Sequence, residues 1–155
     1  MARRTLKIVS GGQTGVDRAA LDAALKLGLD CGGFVPKGRR AEDGRVPDHY
    51  PLEECASRDY PPRTELNVVH SDATLILNRG KFDGGTSLTQ GLCRKHKKAA
   101  CFIDLDRLAE KEAVGEMRAF LEKASPRILN VAGPRESKSP GIYALSLKLL
   151  LEALS

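Results

Sequence analysis

The 155-residue sequence is poor in aromatic side chains: it has no tryptophan, and aromatic residues make up only 5% of the chain. Proteins that bind single-stranded nucleic acid by base stacking need several aromatic platforms, so nucleic acid is not an expected partner. No apolar run approaches the roughly 20 residues that a membrane-spanning helix needs. The apolar stretch within Met1–Gly12 is also too short for a signal peptide. The sequence therefore predicts a cytoplasmic protein without a membrane partner.

Cysteine and histidine are few and scattered, at Cys31, Cys55, Cys93, Cys101, His49, His70 and His96. The cysteines form no C-x-x-C pair, and no histidine stands at metal-ligand spacing beside one of them. We therefore expect reduced, mostly buried thiols. Neither a disulfide framework nor a metal site built from protein side chains is predicted.

Charge is moderately unbalanced, since 25 lysines and arginines against 20 acidic residues give a net charge of +5. Such an excess suits small anions at least as well as nucleic acid. The densest basic run, Arg94–Lys98, falls at the end of a predicted helix, where it complements the helix dipole. The length and the 41% of hydrophobic residues predict a single domain over residues 1–155.

Short apolar runs alternate along the chain with stretches of helical periodicity. The predicted strands are Leu6–Ser10, Cys31–Val35, Ala73–Asn78, Ala99–Asp104 and Ile128–Ala132. The predicted helices are Gly15–Leu27, Arg63–Ser71, Thr86–His96, Leu108–Lys123 and Gly141–Leu154. This alternation predicts an α/β fold, a three-layer, Rossmann-like, doubly wound sheet of about five parallel strands with helices on both faces.

Two segments need a separate explanation. Pro36–Pro62 is rich in proline, glycine and charge and has no sustained period, so it is either a binding loop or a set of short elements. The last predicted helix is apolar on most faces. Because an exposed apolar stripe is costly, we expect a homo-oligomer, a dimer or tetramer, with a contact at Leu147, Leu150, Leu151 or Leu154.

Three loops follow predicted strands one, three and five, where ligands bind in open α/β sheets. The first, Ser10–Arg18, lets backbone amides approach an anion at a helix N-terminus. Its G-G-x-x-G spacing matches neither the dinucleotide nor the triphosphate-loop motif, and no acidic residue closes the second strand to hold a ribose. The residues predicted to bind here are Gly11, Gly12, Gln13, Thr14, Gly15, Asp17 and Arg18. Asp17 either faces the ligand or caps its own helix.

The other two loops add hydroxyls, amides and cations. In the second loop we predict binding by Asn78, Arg79, Gly84, Gly85, Thr86 and Thr89. Thr86 also suits a plain helix cap. In the third loop we predict Arg135, which can hold a phosphate through two hydrogen bonds, and Ser137, with a solvated turn as the alternative. Lys37 and Arg39 of the long segment are predicted to add positive charge.

The chain closely resembles the molybdenum cofactor carrier family in segments that follow one another in order: SGGQTGVDRAALDAA, GGFVPKGRRAEDGRVP, RTELNVVHSDATLIL with GGTSLT, and AGPRESKSPGI. That family belongs to a Rossmann-like superfamily with the YpsA-like nucleotide-binding proteins and the cytokinin-activating phosphoribohydrolases. The resemblance implies an oligomeric Rossmann-like domain that binds molybdenum cofactor or a nucleotide-like anion. It also implies phosphate contacts at Gly11–Asp17 and at Gly84, Gly85 and Thr86.

Three functions suit these loops. The leading one is a carrier that binds molybdenum cofactor (molybdopterin) or another phosphate-bearing pterin or nucleotide without performing chemistry. The second is a nucleotide N-glycosidic hydrolase with Asp17 or Asp83 as acid or base, since a desolvated carboxyl group can have a raised pKa. The phosphoribohydrolases of the superfamily have a P-G-G-x-G-T-x-x-E motif, in which the glutamate acts in bond cleavage. Here the segment Phe82–Thr89 lacks the second glycine spacing, and Thr89 stands at the position of the glutamate. The third is a nucleotide sensor whose segment Pro36–Pro62 closes over the ligand.

Overall fold

The computed structural model describes residues 5–82 and 84–155, so Asp83, a predicted acid or base, lies outside the described residues. The helices are α1 (Val16–Leu27), α2 (Tyr60–Val69), α3 (Gly84–Lys95), α4 (Glu110–Ala124) and α5 (Ile142–Leu154). The strands are β1 (Lys7–Val9), β2 (Asp30–Gly32), β3 (Phe34–Val35), β4 (Arg40–Ala41), β5 (Gly44–Arg45), β6 (Glu53–Glu54), β7 (Ala73–Asn78), β8 (Ala99–Asp104) and β9 (Ile128–Ala132). The last three strands have the bounds predicted from the sequence.

The central sheet has five parallel strands in the order β2-β1-β9-β7-β8. Helices α1, α4 and α5 share one hydrophobic core with the sheet, and α2 packs on α3 in a separate cluster. All six residues of β7 are buried, which explains its continuous apolar run. The predicted three-layer Rossmann-like fold is confirmed. Because β1, β9 and β7 are neighbours, the loops that follow them meet at one edge of the sheet.

The predicted strand Cys31–Val35 is divided in the structure into β2, in the central sheet, and β3, which pairs with β6. Gly33 lies between them with φ +129°. A Cβ at this position would stand 2.1 Å from the carbonyl oxygen of Ser10, which follows β1. The chain can therefore bend here, close to the end of β1, only because the residue is glycine. The pair Gly32-Gly33 in the sequence was the signal for this turn, and the prediction of one continuous strand overlooked it.

The segment Pro36–Pro62 contains short elements, which was one of the two alternatives left open. β4 and β5 form an antiparallel hairpin, and β6 pairs with β3. These strands have two residues each, too few to produce a periodic pattern. Helix α2 begins at Tyr60, before the predicted start at Arg63. Two prolines occupy its first turn, where a missing N–H group costs no hydrogen bond.

The apolar faces of α5 are largely buried within the chain. Leu150 and Leu154 are 0% and 3% exposed and belong to the main core, so the prediction that they lie in an oligomer contact is wrong for these two. Leu147 and Leu151 are half-buried against the same core. An α-helix between two neighbouring helices can be apolar on most sides without a partner chain.

A homo-oligomer through Leu147 and Leu151 stays a prediction. Light scattering at micromolar concentration is expected to give a dimer or tetramer, and a monomer would contradict it. Across residues 5–82 and 84–155, the helices include none that combines the length and the apolar character needed to cross a membrane.

Candidate functional site

A cavity of about 440 Å³ lies at the carboxyl-terminal edge of the sheet. Its walls come from the loop between β1 and α1, one side of α2, the first turns of α3, and the end of β9 with the loop that follows. The predicted binding residues that line it are Gly11, Gln13, Asp17, Gly84, Gly85, Thr86, Thr89 and Arg135. Residues from all three predicted loops therefore meet in one place.

The remaining predicted residues are not part of the cavity wall: Gly12, Thr14, Gly15, Arg18, Lys37, Arg39, Asn78, Arg79 and Ser137. Within the segment Pro36–Pro62, Tyr60 and Pro61 line the cavity and residues 36 to 59 do not, so the lid of the sensor hypothesis touches the cavity only at its last residues, which belong to α2.

The polar residues outside the cavity mostly hold the segment Pro36–Pro62 in place. Arg18 donates two hydrogen bonds to Asp43, of 2.7 and 2.8 Å, and a third to the carbonyl oxygen of Gly12. Glu42 accepts hydrogen bonds from the hydroxyls of Thr14 and Ser137. These hydrogen bonds connect Glu42 and Asp43 of the hairpin β4–β5 to the loops at the edge of the cavity. The side chains that form them already have partners within the protein.

Arg39 also holds the segment Pro36–Pro62 in place. It is 7% exposed, and its guanidinium donates to four backbone carbonyl oxygens, those of Val46, Pro47, Tyr50 and Leu52, at 2.6 to 3.4 Å. A buried cation that is surrounded by carbonyl oxygens stabilises an irregular segment.

We expect Arg39→Met to destabilise the protein by about 2 kcal/mol, because several charge-assisted hydrogen bonds are lost. The affinity for AMP should stay within about two-fold, since Arg39 lies outside the cavity. Urea unfolding and calorimetric titration measure the two quantities. A ten-fold loss of affinity in a folded variant would instead mean that Arg39 contributes to ligand binding, as the sequence predicted.

The first turn of α3 forms one polar wall of the cavity. Gly84 and Gly85 are exposed, and Thr86 follows them. The first N–H groups of a helix have no partner within the helix, and the helix dipole makes this end positive. The hydroxyl of Thr89 donates to the carbonyl oxygen of Gly85 at 3.0 Å, so its proton is used inside the helix. This wall suits an anionic oxygen.

Arg63 on α2 faces this wall and was not among the predicted binding residues. Its side chain is 10% exposed and lies across Gly11, where a Cβ would stand 2.2 Å from one guanidinium nitrogen. The same nitrogen is 3.3 Å from the hydroxyl of Thr64, and the guanidinium lies 5.2 Å from the ring centroid of Tyr60. Arg63 Nε is buried and has no hydrogen-bond partner among the described residues.

Asp17 is buried in the same cavity, 3.9 Å from the Arg63 guanidinium. Burial raises the pKa of its carboxyl group from 3.8 to about 6, against the opposing effects of Arg63, of the Gln13 N–H donated at 3.2 Å and of Arg18. Desolvation thus outweighs a nearby cation. Asp17 therefore lines the cavity, and its carboxyl group accepts a hydrogen bond from the loop before α1, not from the first turn of the helix.

The charge of the cavity wall is positive. Asp17 is the single acidic residue among the described residues that line it, against Arg63, Arg135 and Lys138. Arg135 is 3.6 Å from Glu42, which reduces but does not remove its charge in the cavity. Such a wall attracts anions.

Carboxamide side chains supply further polar contacts. Gln13 accepts N–H groups from Thr14 at 3.1 Å and Glu42 at 2.8 Å through its oxygen, which leaves its NH₂ group for the cavity. Asn130 donates to the hydroxyl of Thr74 at 3.3 Å, which leaves its oxygen. A donor on Gln13 and an acceptor on Asn130 suit the polar edge of a heterocyclic ring, which also presents both kinds of group.

The stability contribution of Asp17 should depend on pH with a defined sign. Its raised pKa means that between pH 4 and 6 the folded state holds a proton that the unfolded state has lost, so this contribution decreases as pH rises. Asp17→Asn lacks it. We expect the free energy of unfolding of the variant minus that of the wild type to be roughly 2–3 kcal/mol larger at pH 7.5 than at pH 4, because only the wild type loses stability over this range. Urea unfolding at both pH values measures it, and an equal difference at both would contradict the raised pKa.

A signal in the sequence does point to Arg63. Arg63 and Asn67 are four residues apart and Val68 is next to Asn67, so the three share one face of α2, and all are buried. An arginine on the apolar face of a predicted helix is unusual and indicates a partner or a ligand. The prediction considered only the loops that follow strands and so overlooked Arg63, because the cavity wall also includes residues of helix α2.

The fold and cavity together define a Rossmann-like α/β protein with a cationic, polar cavity at the carboxyl-terminal edge of a parallel sheet. The chain belongs to the circularly permutated YpsA SLOG family, whose sequence model matches residues 8–154. It is similar to a solved structure from Syntrophus aciditrophicus SB named "putative molybdenum carrier protein", at 47% sequence identity and a TM-score of 0.94. The match covers 96% of this chain and 94% of that one. No curated protein matches the chain. These findings confirm the resemblance to the molybdenum cofactor carrier family.

Proposed function

We propose that the protein binds and carries molybdenum cofactor or a related phosphate-bearing pterin or nucleotide in this cavity. The phosphate lies between the first turn of α3 and Arg63, above Gly11. The observation that carries the proposal is Arg63 Nε, a buried cationic donor with no partner among the described residues. Buried polar groups are nearly always paired, and an unpaired one is costly. An anionic oxygen of the ligand provides the missing acceptor.

The size and charge of the cavity support the same ligand class. A volume of about 440 Å³ falls within the range of about 300–1,000 Å³ that is usual for small-molecule sites. Three cationic side chains face a single carboxyl group there, within the described wall. The NH₂ group of Gln13 and the side-chain oxygen of Asn130 suit a pterin or purine edge. Arg135 and Lys138 suit a second anionic group of the ligand.

Thermal melting with four probes tests this proposal: molybdenum cofactor, metal-free molybdopterin, AMP and inorganic phosphate. A compound that binds only the folded state raises the melting temperature in proportion to the logarithm of its concentration over its Kd. We expect the largest shifts with the two pterin compounds. If none of the four compounds shifts the melting temperature, the proposal is wrong.

One observation favours a second function, N-glycosidic hydrolysis of a nucleotide. A buried carboxyl group with a pKa of about 6 is suited to proton transfer near neutral pH, and Asp17 has this property inside the cavity. Hydrolysis would release free adenine from AMP, which chromatography detects. Release by the wild type but not by Asp17→Asn would favour the hydrolase, and no release at all would leave the carrier.

A further inference from the structure

We propose that the loops after β1 and β9 form a second anion-binding site, and that the carboxylate of Glu42 occupies it as a competitor built into the chain. Glu42 lies in the two-residue turn of the hairpin β4–β5. The site takes an oxyanion, either free phosphate or an anionic group of a ligand that extends from the cavity. Removal of Glu42 should therefore strengthen anion binding, whereas removal of a carboxylate that only holds the fold together would not.

Four donors from the two loops converge on the Glu42 carboxylate. One oxygen accepts the hydroxyl of Thr14 and the backbone N–H of Ser137, the latter at 3.2 Å. The other oxygen accepts the hydroxyl of Ser137 and lies 3.6 Å from Nε of Arg135. Hydroxyls, a backbone amide and a guanidinium are the groups with which proteins bind phosphate. The same donors can therefore receive an oxyanion in place of the carboxylate.

The protein itself orients these donors toward a negative charge. The hydroxyl oxygen of Thr14 accepts the backbone N–H of Glu136 at 3.1 Å, which leaves the hydroxyl proton for Glu42. Burial would raise the pKa of Glu42, but the hydrogen bonds from Ser137 and Thr14 and the charge of Arg135 outweigh burial and lower that pKa. An anion of another molecule would be favoured by the same groups.

The carboxylate can leave this site while the hairpin stays in place. The backbone N–H of Glu42 donates to the side-chain oxygen of Gln13 at 2.8 Å, and Arg18 donates two hydrogen bonds to Asp43. The Glu42 side chain is 20% exposed, so a change of rotamer takes its carboxylate into water. A tethered carboxylate competes at an effective concentration of order millimolar or more. The apparent affinity of the site for an outside anion is therefore low in the wild type.

This second site is distinct from the phosphate position beside Arg63. Thr14 and Ser137 do not line the cavity, and Arg135 belongs to both places. The inference therefore goes beyond the proposed function and does not depend on it. Arg63→Ala, in which the proposed phosphate position is lost, is a suitable background for the experiment.

Isothermal titration with inorganic phosphate compares Arg63→Ala with the double variant Arg63→Ala/Glu42→Ala. We expect the double variant to bind one phosphate at least about 10-fold more tightly. Glu53→Ala in the same background is the matched control, because it is the same substitution at an exposed glutamate of the segment Pro36–Pro62, and it should give no gain. Adding Ser137→Ala to the double variant removes one donor and should weaken the gained site by about ten-fold.

A second arm in the wild-type background covers the case in which Arg63→Ala fails to fold. There Glu42→Ala should raise the number of bound phosphates by one. ADP and AMP then distinguish the two sources of the anion. If the anion belongs to a ligand of the cavity, Glu42→Ala strengthens the binding of ADP and leaves that of AMP unchanged. If the anion is free phosphate, Glu42→Ala binds AMP and phosphate together. Either result supports the second site.

No gain in phosphate binding by Glu42→Ala in either background would overturn the inference, and so would an equal gain in Glu53→Ala. The proposed function is decided separately. If Glu42→Ala gains a phosphate while the wild type binds neither AMP nor metal-free molybdopterin, the proposed function is wrong and the second site stands.

Discussion

Replacing Arg63 with alanine is expected to weaken the binding of AMP or molybdopterin by about 100-fold or more. The guanidinium is buried across Gly11 with one N–H group unpartnered among the described residues, so its bond to an anion is formed away from water. Truncating one partner of such a buried, charge-assisted contact costs about 2–5 kcal/mol of binding energy. Isothermal titration measures the loss.

Arg40→Ala is the matched control for this prediction. The Arg40 guanidinium also lies over the Tyr60 ring, at 4.6 Å from its centroid, but Arg40 is exposed and outside the cavity. We expect its affinity to stay within about two-fold of wild type. An equal loss in both variants would mean that Arg63 acts through general charge and not through a direct contact.

Gly11→Ala separates the position of the guanidinium from its charge. The added methyl group would stand 2.2 Å from an Arg63 nitrogen, at the end of a flexible side chain that can move away. We expect a loss of affinity similar to that of Arg63→Ala, with little loss of stability. Unchanged affinity in Gly11→Ala would contradict the placement of the phosphate above Gly11.

The alternation of strands and helices was predictable because β7, β8 and β9 are long enough to show their pattern. The meeting of three loops was also predictable, since parallel strands end at a common edge. Arg18 and Arg39 were predicted as binding residues because arginines in loops suit anions. Their partners, Asp43 and a set of backbone carbonyl groups, lie in an irregular segment whose path has no periodic signal.

Arg63 shows the opposite error, since it lines the cavity and was not predicted to bind a ligand. Its place in the cavity depends on the close approach of α2 to the loop after β1, which is a tertiary contact between residues about 50 positions apart. Local propensity and periodicity describe neighbours in sequence only, so they place Arg63 on a helix without saying what the helix faces. The same limit explains why Gly15 was predicted to bind a ligand.

Gly15 lies where the loop after β1 touches the loop after β9. It has φ +79° and ψ −129°, a conformation that is nearly restricted to glycine. A Cβ there would stand 2.4 Å from the carbonyl oxygen of Pro134 and 2.8 Å from the backbone nitrogen of Glu136. These are backbone atoms on either side of Arg135, so the contact also fixes one cationic wall of the cavity.

Gly15→Ala is therefore expected to destabilise the protein by about 4 kcal/mol or more, the sum of backbone strain and overpacking. Gly28→Ala is the matched control, because Gly28 also has a positive φ, +70°, but has no atom within 4 Å of the added Cβ. It should cost roughly 1–2 kcal/mol. Urea unfolding of both variants measures the difference. Equal costs would mean that the two loops do not touch in solution, and Arg135 would then have no fixed place in the cavity.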